Sequence, residues 1–218
     1  VEDPVEYRLA GINQIQVKPE IGLDFARCLR AILRQNPDIV LIGEIRDKET
    51  VEIAIKASLT GHLVLSTFHT NDAPSTISRL AYMGIERYPL SSTLNLVVAQ
   101  RLVRKICDAC KEPVELTEEA LRRLRVDRQQ AAGATFYKGK GCPACGKTGY
   151  HGRLPIFEFL AVDEDIAERI IAGQSEVDLR NAARSKGYGD LLESGVRAVF
   201  QGLTTAEEVI RVASMVEG

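Results

Sequence analysis

Four cysteines are the most explicit chemistry in this sequence. Cys107-Asp108-Ala109-Cys110 and Cys142-Pro143-Ala144-Cys145 are two Cys-x2-Cys hooks, with residues 111–141 between them. Each hook lets one turn offer two thiolates to a single metal, and two hooks complete a tetrahedral site. Such a site has no open coordination position and is therefore structural. Nothing else in the chain points to redox chemistry, which favours Zn2+ over iron. A pair of disulfides and a rubredoxin-like iron site are the alternatives. The fifth cysteine, Cys28, lies in a helical pattern and reads as a small buried apolar residue.

Carboxylates and imidazoles form a second group. Glu44 follows the apolar run Ile39-Val40-Leu41-Ile42. An acid there stands at the C-terminal edge of a parallel sheet, where ligands of such sheets bind. In nucleotide hydrolases that acid holds Mg2+ or polarises the attacking water; a solvated strand end is the plainer reading. His62 and His69 flank the second apolar run, and these are two of the three histidines in the chain. A histidine at a strand edge can donate to a phosphate, or it can be a hydrogen-bonded structural residue. The opening Val1-Glu2-Asp3-Pro4-Val5-Glu6 gathers three carboxylates about a proline. Beside Glu44 they would repel one another unless a cation such as Mg2+ sat between them; otherwise this is an exposed acidic turn.

The elements that must position these groups follow from periodicity. Phe25 to Gln35 reads as a helix ended by Asn36-Pro37, and Ile39 to Ile42 as a strand of a parallel sheet covered on both faces. Asp47 to Leu59 is a second helix and Leu63 to Phe68 a second buried strand, which makes a βαβ unit. Residues 101–152 differ in character, with the cysteine hooks, a charged helix from Thr117 to Arg128 and a Gly-rich stretch from Gly139 to Gly152. Residues 153–218 read as helical, with segments near 163–172, 176–186, 190–201 and 205–215. Ser175 and Thr205 fit N-caps, and Gly187 and Gly202 fit C-terminal stops. Three domains are therefore expected: 1–100, an α/β core; 101–152, a four-cysteine zinc subdomain; and 153–218, a helical subdomain.

Composition bounds the function. The 218 residues are 45% apolar and 27% charged with a net charge of −2, an ordinary balance for a chain with a core. That charge does not point to nucleic acid as the main partner. No apolar run is long enough to span a bilayer, no secretory leader is read at the acidic start, and paired cysteines in a metal-site pattern suit a reducing compartment. Cytoplasm is the expected location. The basic cluster Arg122, Arg123, Arg125 and Arg128 keeps open an alternative, a zinc-dependent interaction or nucleic-acid-binding module with no enzymatic function. Acids are interleaved with those arginines and aromatics are not, which favours a solvated helix.

Jointly these motifs resemble one family. Glu2-Asp3-Pro4-Val5-Glu6 is similar to the Asp box of the type II secretion and type IV pilus assembly ATPases. Leu33 to Asp38 running into Gly43-Glu44-Ile45-Arg46-Asp47 resembles their Walker B region, and Gly61-His62 to His69-Thr70-Asn71 their His box. The likeness continues through the cysteine hooks to Gly202-Leu203-Thr204-Thr205-Ala206-Glu207-Glu208-Val209. It implies a RecA-like parallel sheet, incomplete at its N-terminus, in a homohexamer that binds ATP and Mg2+. It further implies inner-membrane secretion or pilus platform proteins as partners and a place at the inner membrane face. By position, Glu44 acts through Mg2+ and the lytic water, Glu2 activates water, and His62 and His69 sense the γ-phosphate. Asp3, Arg46 and Arg101 stand as nucleotide-site residues, with Arg104 beside Arg101. The four-cysteine insert argues against a retraction motor. Asn36 and Phe68 stand where the family usually has Asp and Leu. No Gly-x-x-x-x-Gly-Lys-[Ser/Thr] loop occurs in the 218 residues, so the chain is expected to be a fragment, inactive by itself.

Overall fold

The computed structural model describes residues 1–214, the side chain of residue 214 excepted. The chain packs as two compact units, each discontinuous in sequence. The first comprises Val1–Thr70, Ser75–Asn95 and Val162–Glu176; the second holds Asn71–Pro74, Leu96–Ala161 and the residues from Val177 onward.

The first unit is built on a βαβ crossover. Helix α1 (Phe25–Leu33) is capped by Asp24, which accepts the Arg27 N–H at 2.7 Å. The chain then turns at Asn36, whose φ of +52° is a left-handed conformation that Asn tolerates better than most residues. Strand β1 (Ile39–Ile42) pairs in parallel with β2 (Leu63–Ser66), Ile39 opposite Leu63 and Ile42 opposite Ser66. The crossover is α2 (Lys48–Leu59), whose cap Asp47 accepts the Thr50 N–H at 2.8 Å. Helices α3 (Ala73–Tyr82, from Ser75 onward), α4 (Arg87–Thr93) and α7 (Glu164–Ala172) complete the unit, with Leu29, Ile42, Leu90, Ile166 and Ile170 in its core.

One expectation fails here. The apolar run of β1 predicts cover on both sheet faces, yet only Val40 and Ile42 are buried. Ile39, Leu41, Leu63 and Leu65 are 61%, 50%, 45% and 46% exposed. Alternation along paired strands puts all four on one face, and that face has no cover among the described residues.

The second unit starts from an antiparallel ladder. Strand β3 (Leu96–Ile106) pairs with β6 (Tyr150–Ala161), from Leu96 opposite Ala161 to Arg104 opposite Arg153. The hairpin between them contains β4 (Lys111–Val114) paired with β5 (Phe136–Gly139), and two short helices. A single helix from Thr117 to Arg128 was expected, but the structure has α5 (Glu118–Arg123) and α6 (Arg128–Ala131). Arg125 breaks the run with a φ of +58°. Asp127 and Gln130 then form a reciprocal capping box that starts α6.

The C-terminal segment is less helical than predicted, because its first nine residues belong to β6. Leu154, Ile156, Glu158 and Leu160 turn to one side of that strand and Arg153, Pro155, Phe157 and Phe159 to the other, a period of two. Helices α8 (Glu176–Ser185), α9 (Leu191–Phe200) and α10 (Ala206–Ser214) follow. Thr205 caps α10 through its Oγ1, which accepts the Glu208 N–H at 3.2 Å. Leu121, Leu124, Val126 and Phe136 from the cysteine-bearing hairpin share one core with Leu192, Val199, Ala206 and Val209 from α9 and α10.

Candidate functional site

In the first unit, the C-terminal end of β1 assembles a polar group. Glu44 lies two residues past the strand, and its Oε1 accepts Nη2 of Arg46 at 2.5 Å. Its Oε2 stands 3.2 Å from Nε2 of His69. The Arg46 hydrogen bond holds the Glu44 carboxyl below the usual carboxylate range; burial opposes this, and His69 adds to the lowering. Arg46 in turn is held protonated chiefly by Glu44, with a weaker pull from Asp3. The acidic opening reaches the same place through its backbone. Gly43 donates its N–H to the Val1 carbonyl at 2.7 Å, and the Val1 nitrogen donates to the Leu41 carbonyl at the same distance. A Cβ on Gly43 would stand 3.1 Å from the Val1 carbonyl oxygen and 3.3 Å from the Glu2 Cα, a tight fit that brings the opening segment close to the loop carrying Glu44. Glu2 is oriented by Gln14, whose Nε2 donates to its carboxylate at 2.8 Å.

Glu2, Asp3, Glu44, Arg46 and His69 are thus gathered at one edge of the sheet. His62 is not with them. It precedes β2 while His69 follows it, so the imidazoles stand at opposite ends of a four-residue strand, a span of about 13 Å. The His62 Nδ1 lies 2.9 Å from the Ala57 carbonyl and 3.1 Å from the Thr60 hydroxyl, at the end of α2. A residue that motif reasoning did not single out, Thr67, donates its hydroxyl to the Gly43 carbonyl at 2.5 Å and fixes the loop that carries Glu44. Arg101 belongs to the second unit, where it donates to the Asn71 carbonyl at 2.9 Å.

The two cysteine hooks come together in the second unit because two ladders share their ends there. Cys107 and Cys110 join β3 to β4, while Cys142 and Cys145 join β5 to β6. Residues 111–141 between the hooks are taken up by β4, α5, α6 and β5, which explains a gap longer than a simple zinc ribbon requires. The four sulfurs lie within 4.8 Å of one another. Three of the separations are 3.8 to 3.9 Å, against about 3.8 Å for the edge of a tetrahedron with metal–sulfur bonds near 2.3 Å. All four are free thiols, and a disulfide would need about 2.05 Å, so the disulfide alternative is ruled out.

Backbone N–H groups point at these sulfurs. Cys142 and Gly149 donate to Cys145 at 3.2 and 3.3 Å, and Gly141 donates to Cys110 at 3.3 Å. Those two bonds, that from Cys142 foremost, bring the Cys145 thiol down to about 6. Burial drives the Cys110 thiol up to about 12. Gly149 also accepts the Cys107 N–H at 2.9 Å, so one residue ties the hooks to each other. Its φ is +79°, and a side chain on either Gly139 or Gly149 would collide with the other's main chain. The Gly-rich stretch in the sequence marks this contact, though not its geometry.

Two further clusters in the second unit were not legible as sites. Asp72, Glu158 and Arg180 meet beside a cavity of about 360 Å3 that Arg125, Arg184 and Asp190 also line. Burial, and after it the charge of Asp72, pushes the Glu158 carboxyl up to about 7. Glu208, fully buried, accepts from Arg104 and Arg211 at 2.7 Å each. Of the basic cluster on α5, α6 and the turn between them, Arg128 pairs with Glu118 at 2.7 Å and Arg125 with Asp190 at 3.0 Å.

Comparison with known proteins agrees with the motifs. The family model described as "Type II/IV secretion system protein" matches residues 1–211. The chain is 52% identical over 210 residues to the type IV pilus assembly ATPase PilB of Thermus thermophilus, covering 96% of this chain and 24% of that protein. It is 50% identical over 212 residues to the type II secretion system protein E of Pseudomonas aeruginosa, covering 97% of this chain and 42% of that protein. Among solved structures, the pilus retraction motor PilT with bound ADP aligns over 97% of this chain and 50% of its own, with a TM-score of 0.68 at 28% identity. The chain therefore spans well under half the length of the curated relatives named here. No helix among the described residues is long and apolar enough to cross a membrane. A parallel α/β crossover, a four-cysteine cluster and the matched motifs place this chain in the type II/IV secretion system protein family.

Proposed function

We propose that this chain is the hydrolytic and zinc-bearing part of a cytoplasmic, homohexameric ATPase that powers type II secretion or type IV pilus assembly. The observation that carries the reading is the convergence of Glu2, Asp3, Glu44, Arg46 and His69 at the end of β1. Bound ATP and Mg2+ would supply a polarised phosphoanhydride and a cation for the carboxylates. Glu44, kept ionised by Arg46 and His69, would hold the metal's water shell. Glu2, oriented by Gln14, accepts the proton of the attacking water. His69 would present Nε2 to a terminal phosphate. Asp3 balances the charge of Arg46. Arg101 is assigned as a nucleotide-site residue on family resemblance alone, and so is His62.

The four thiolates fit Zn2+ by donor type and by the sulfur tetrahedron, and the closed shell gives the metal a structural role. Self-association into a ring and docking on inner-membrane platform proteins follow from the family. With no Gly-x-x-x-x-Gly-Lys-[Ser/Thr] loop in the 218 residues, the chain alone does not turn over ATP. The test is steady-state hydrolysis by the full-length protein. Glu44→Gln abolishes turnover, since a neutral amide cannot hold the cation's water shell as the carboxylate does. Undiminished turnover in that variant overturns the assignment of Glu44.

A further inference from the structure

In the first unit, the main chain of Glu2 sits at the neck of a loop. Its N–H donates to the Ile15 carbonyl and its carbonyl accepts the Val17 N–H, both at 3.0 Å. The chain therefore leaves Glu2 at Asp3 and returns beside it at Ile15. Residues 6–13, the body of that loop, are exposed throughout. One side chain closes the loop. The Gln14 Oε1 accepts the Leu9 N–H at 2.8 Å, and Nε2 donates to the Tyr7 carbonyl at 2.9 Å. The same Nε2 donates to Oε1 of Glu2 at 2.8 Å.

A carboxamide has two N–H donors and one acceptor oxygen, and all three are engaged here. The partners also fix which way round it sits. Turned over, its oxygen would face a carbonyl and a carboxylate, and its NH2 group would face an N–H. A loop folded otherwise would withdraw the Leu9 N–H and the Tyr7 carbonyl, the two contacts that aim Nε2 at Glu2. The main-chain bonds of Glu2 run to Ile15 and Val17, outside residues 6–13, so only the direction of its carboxylate is at stake. We propose that Gln14 is a positioning residue for ATP hydrolysis that makes the orientation of Glu2 conditional on the fold of residues 6–13. The assignment rests on Glu2 being the water-activating carboxylate, and it adds a regulator to that group. The loop sets the amide, and the amide sets the carboxylate.

The test uses ATP hydrolysis by the full-length protein, assayed well below the melting temperature. Gln14→Leu lowers kcat by about tenfold or more, the scale of a lost hydrogen bond to a charged group, while KM stays within about twofold. Leu9→Pro deletes the N–H that Oε1 accepts and leaves Gln14 and Glu2 in place, and it gives a similar loss. Leu9→Ala, which keeps that N–H, recovers most of the rate. The double variant of Gln14→Leu and Leu9→Pro loses no more than Gln14→Leu alone, as expected for groups acting through one amide. Ile12→Ala, on the same loop but outside these bonds, leaves kcat unchanged. If Gln14→Leu keeps wild-type kcat and KM while Glu2→Gln is dead, the amide is only structural and the proposal falls. A slow Gln14→Leu beside a fully active Leu9→Pro also overturns it, because the loop then does not control Glu2. If Glu2→Gln itself hydrolyses ATP normally, the reading beneath fails and takes the positioning role with it.

Discussion

Glu208 accepts the main-chain N–H of Arg104 at 3.0 Å and the guanidinium of the same residue at 2.7 Å. Arg211 adds two hydrogen bonds from the other side, and the Arg104 guanidinium lies 4.0 Å from the centre of the Tyr150 ring. The carboxylate therefore bolts α10 to β3 immediately before the first cysteine hook.

A pH dependence follows from that bolt. Burial opposes ionisation of Glu208, but the Arg211 and Arg104 hydrogen bonds outweigh it and lower its pKa from 4.5 to about 2. A depressed folded-state pKa contributes stability above the unfolded value that is lost as pH falls through the folded one. The window here is pH 4.5 down to about 2. Glu208→Gln is expected to cost on the order of 3 kcal/mol at pH 7 and far less near pH 2. Urea unfolding of the two proteins at both pH values measures the difference.

Glu158 acts in the opposite direction. It is also buried, but it faces Asp72 and Asp190 as well as Arg180, and its pKa is raised from 4.5 to about 7. Its contribution is fully present below pH 4.5 and is lost as pH rises through about 7. Glu158→Gln keeps an acceptor for the Ala73 N–H and removes the buried charge. It should therefore melt above the wild type at pH 8 and together with it at pH 4. A variant that melts lower at pH 8 would mean that the Arg180 attraction outweighs desolvation.

Metal removal should reach well beyond the hooks. The Ile106 N–H donates to the Leu203 carbonyl at 2.9 Å, and the Arg104 carbonyl accepts the Thr204 hydroxyl at 2.8 Å. The turn between α9 and α10 is thus pinned to the residues entering Cys107. Because metal binding free energy is folding free energy in such sites, Cys107→Ser or a strong chelator should release about one Zn2+ per chain. Amide exchange should then accelerate in α9 and α10 as well as in the hairpin. Exchange confined to residues 107–150 would show that the shared core holds without the metal.

What could be read in advance was whatever is local. The hooks, the acid after an apolar run, the Thr205 cap and the stop at Gly202 are short-range signals, carried by residues a few positions apart. The strand at 150–161 was missed because its alternation is interrupted by glycine and proline and contains Glu158 among apolar neighbours. The break at Arg125 was missed because an arginine in a left-handed turn has no sequence signature, although Asp127 and Gln130 offered a cap. His62 and His69 resemble one motif, yet they sit at opposite ends of β2, a separation that motif matching does not register. Pairings such as Arg104 with Glu208 lie 104 residues apart and exist only once the ladder of β3 and β6 has formed. The open face of Ile39, Leu41, Leu63 and Leu65 is likewise a matter of tertiary cover, on which an apolar run is silent.

The glycine contact between the hooks gives the most local test of the metal centre. Gly149 holds a left-handed φ of +79°, donates to Cys145 and accepts from Cys107, so it can change neither conformation nor position without moving both sulfurs. An alanine there is strained in φ, and its Cβ is forced against the Gly139 main chain. Gly146 shares the left-handed conformation at φ +59° but has open space around it. Gly149→Ala should weaken metal affinity by about tenfold or more, the usual scale for a lost outer-shell partner, whereas Gly146→Ala should show only backbone strain. Competition with a chromogenic chelator compares the two directly. Equal affinities in both variants would mean that the hooks are positioned by their strands alone and that the Gly149 bridge is dispensable.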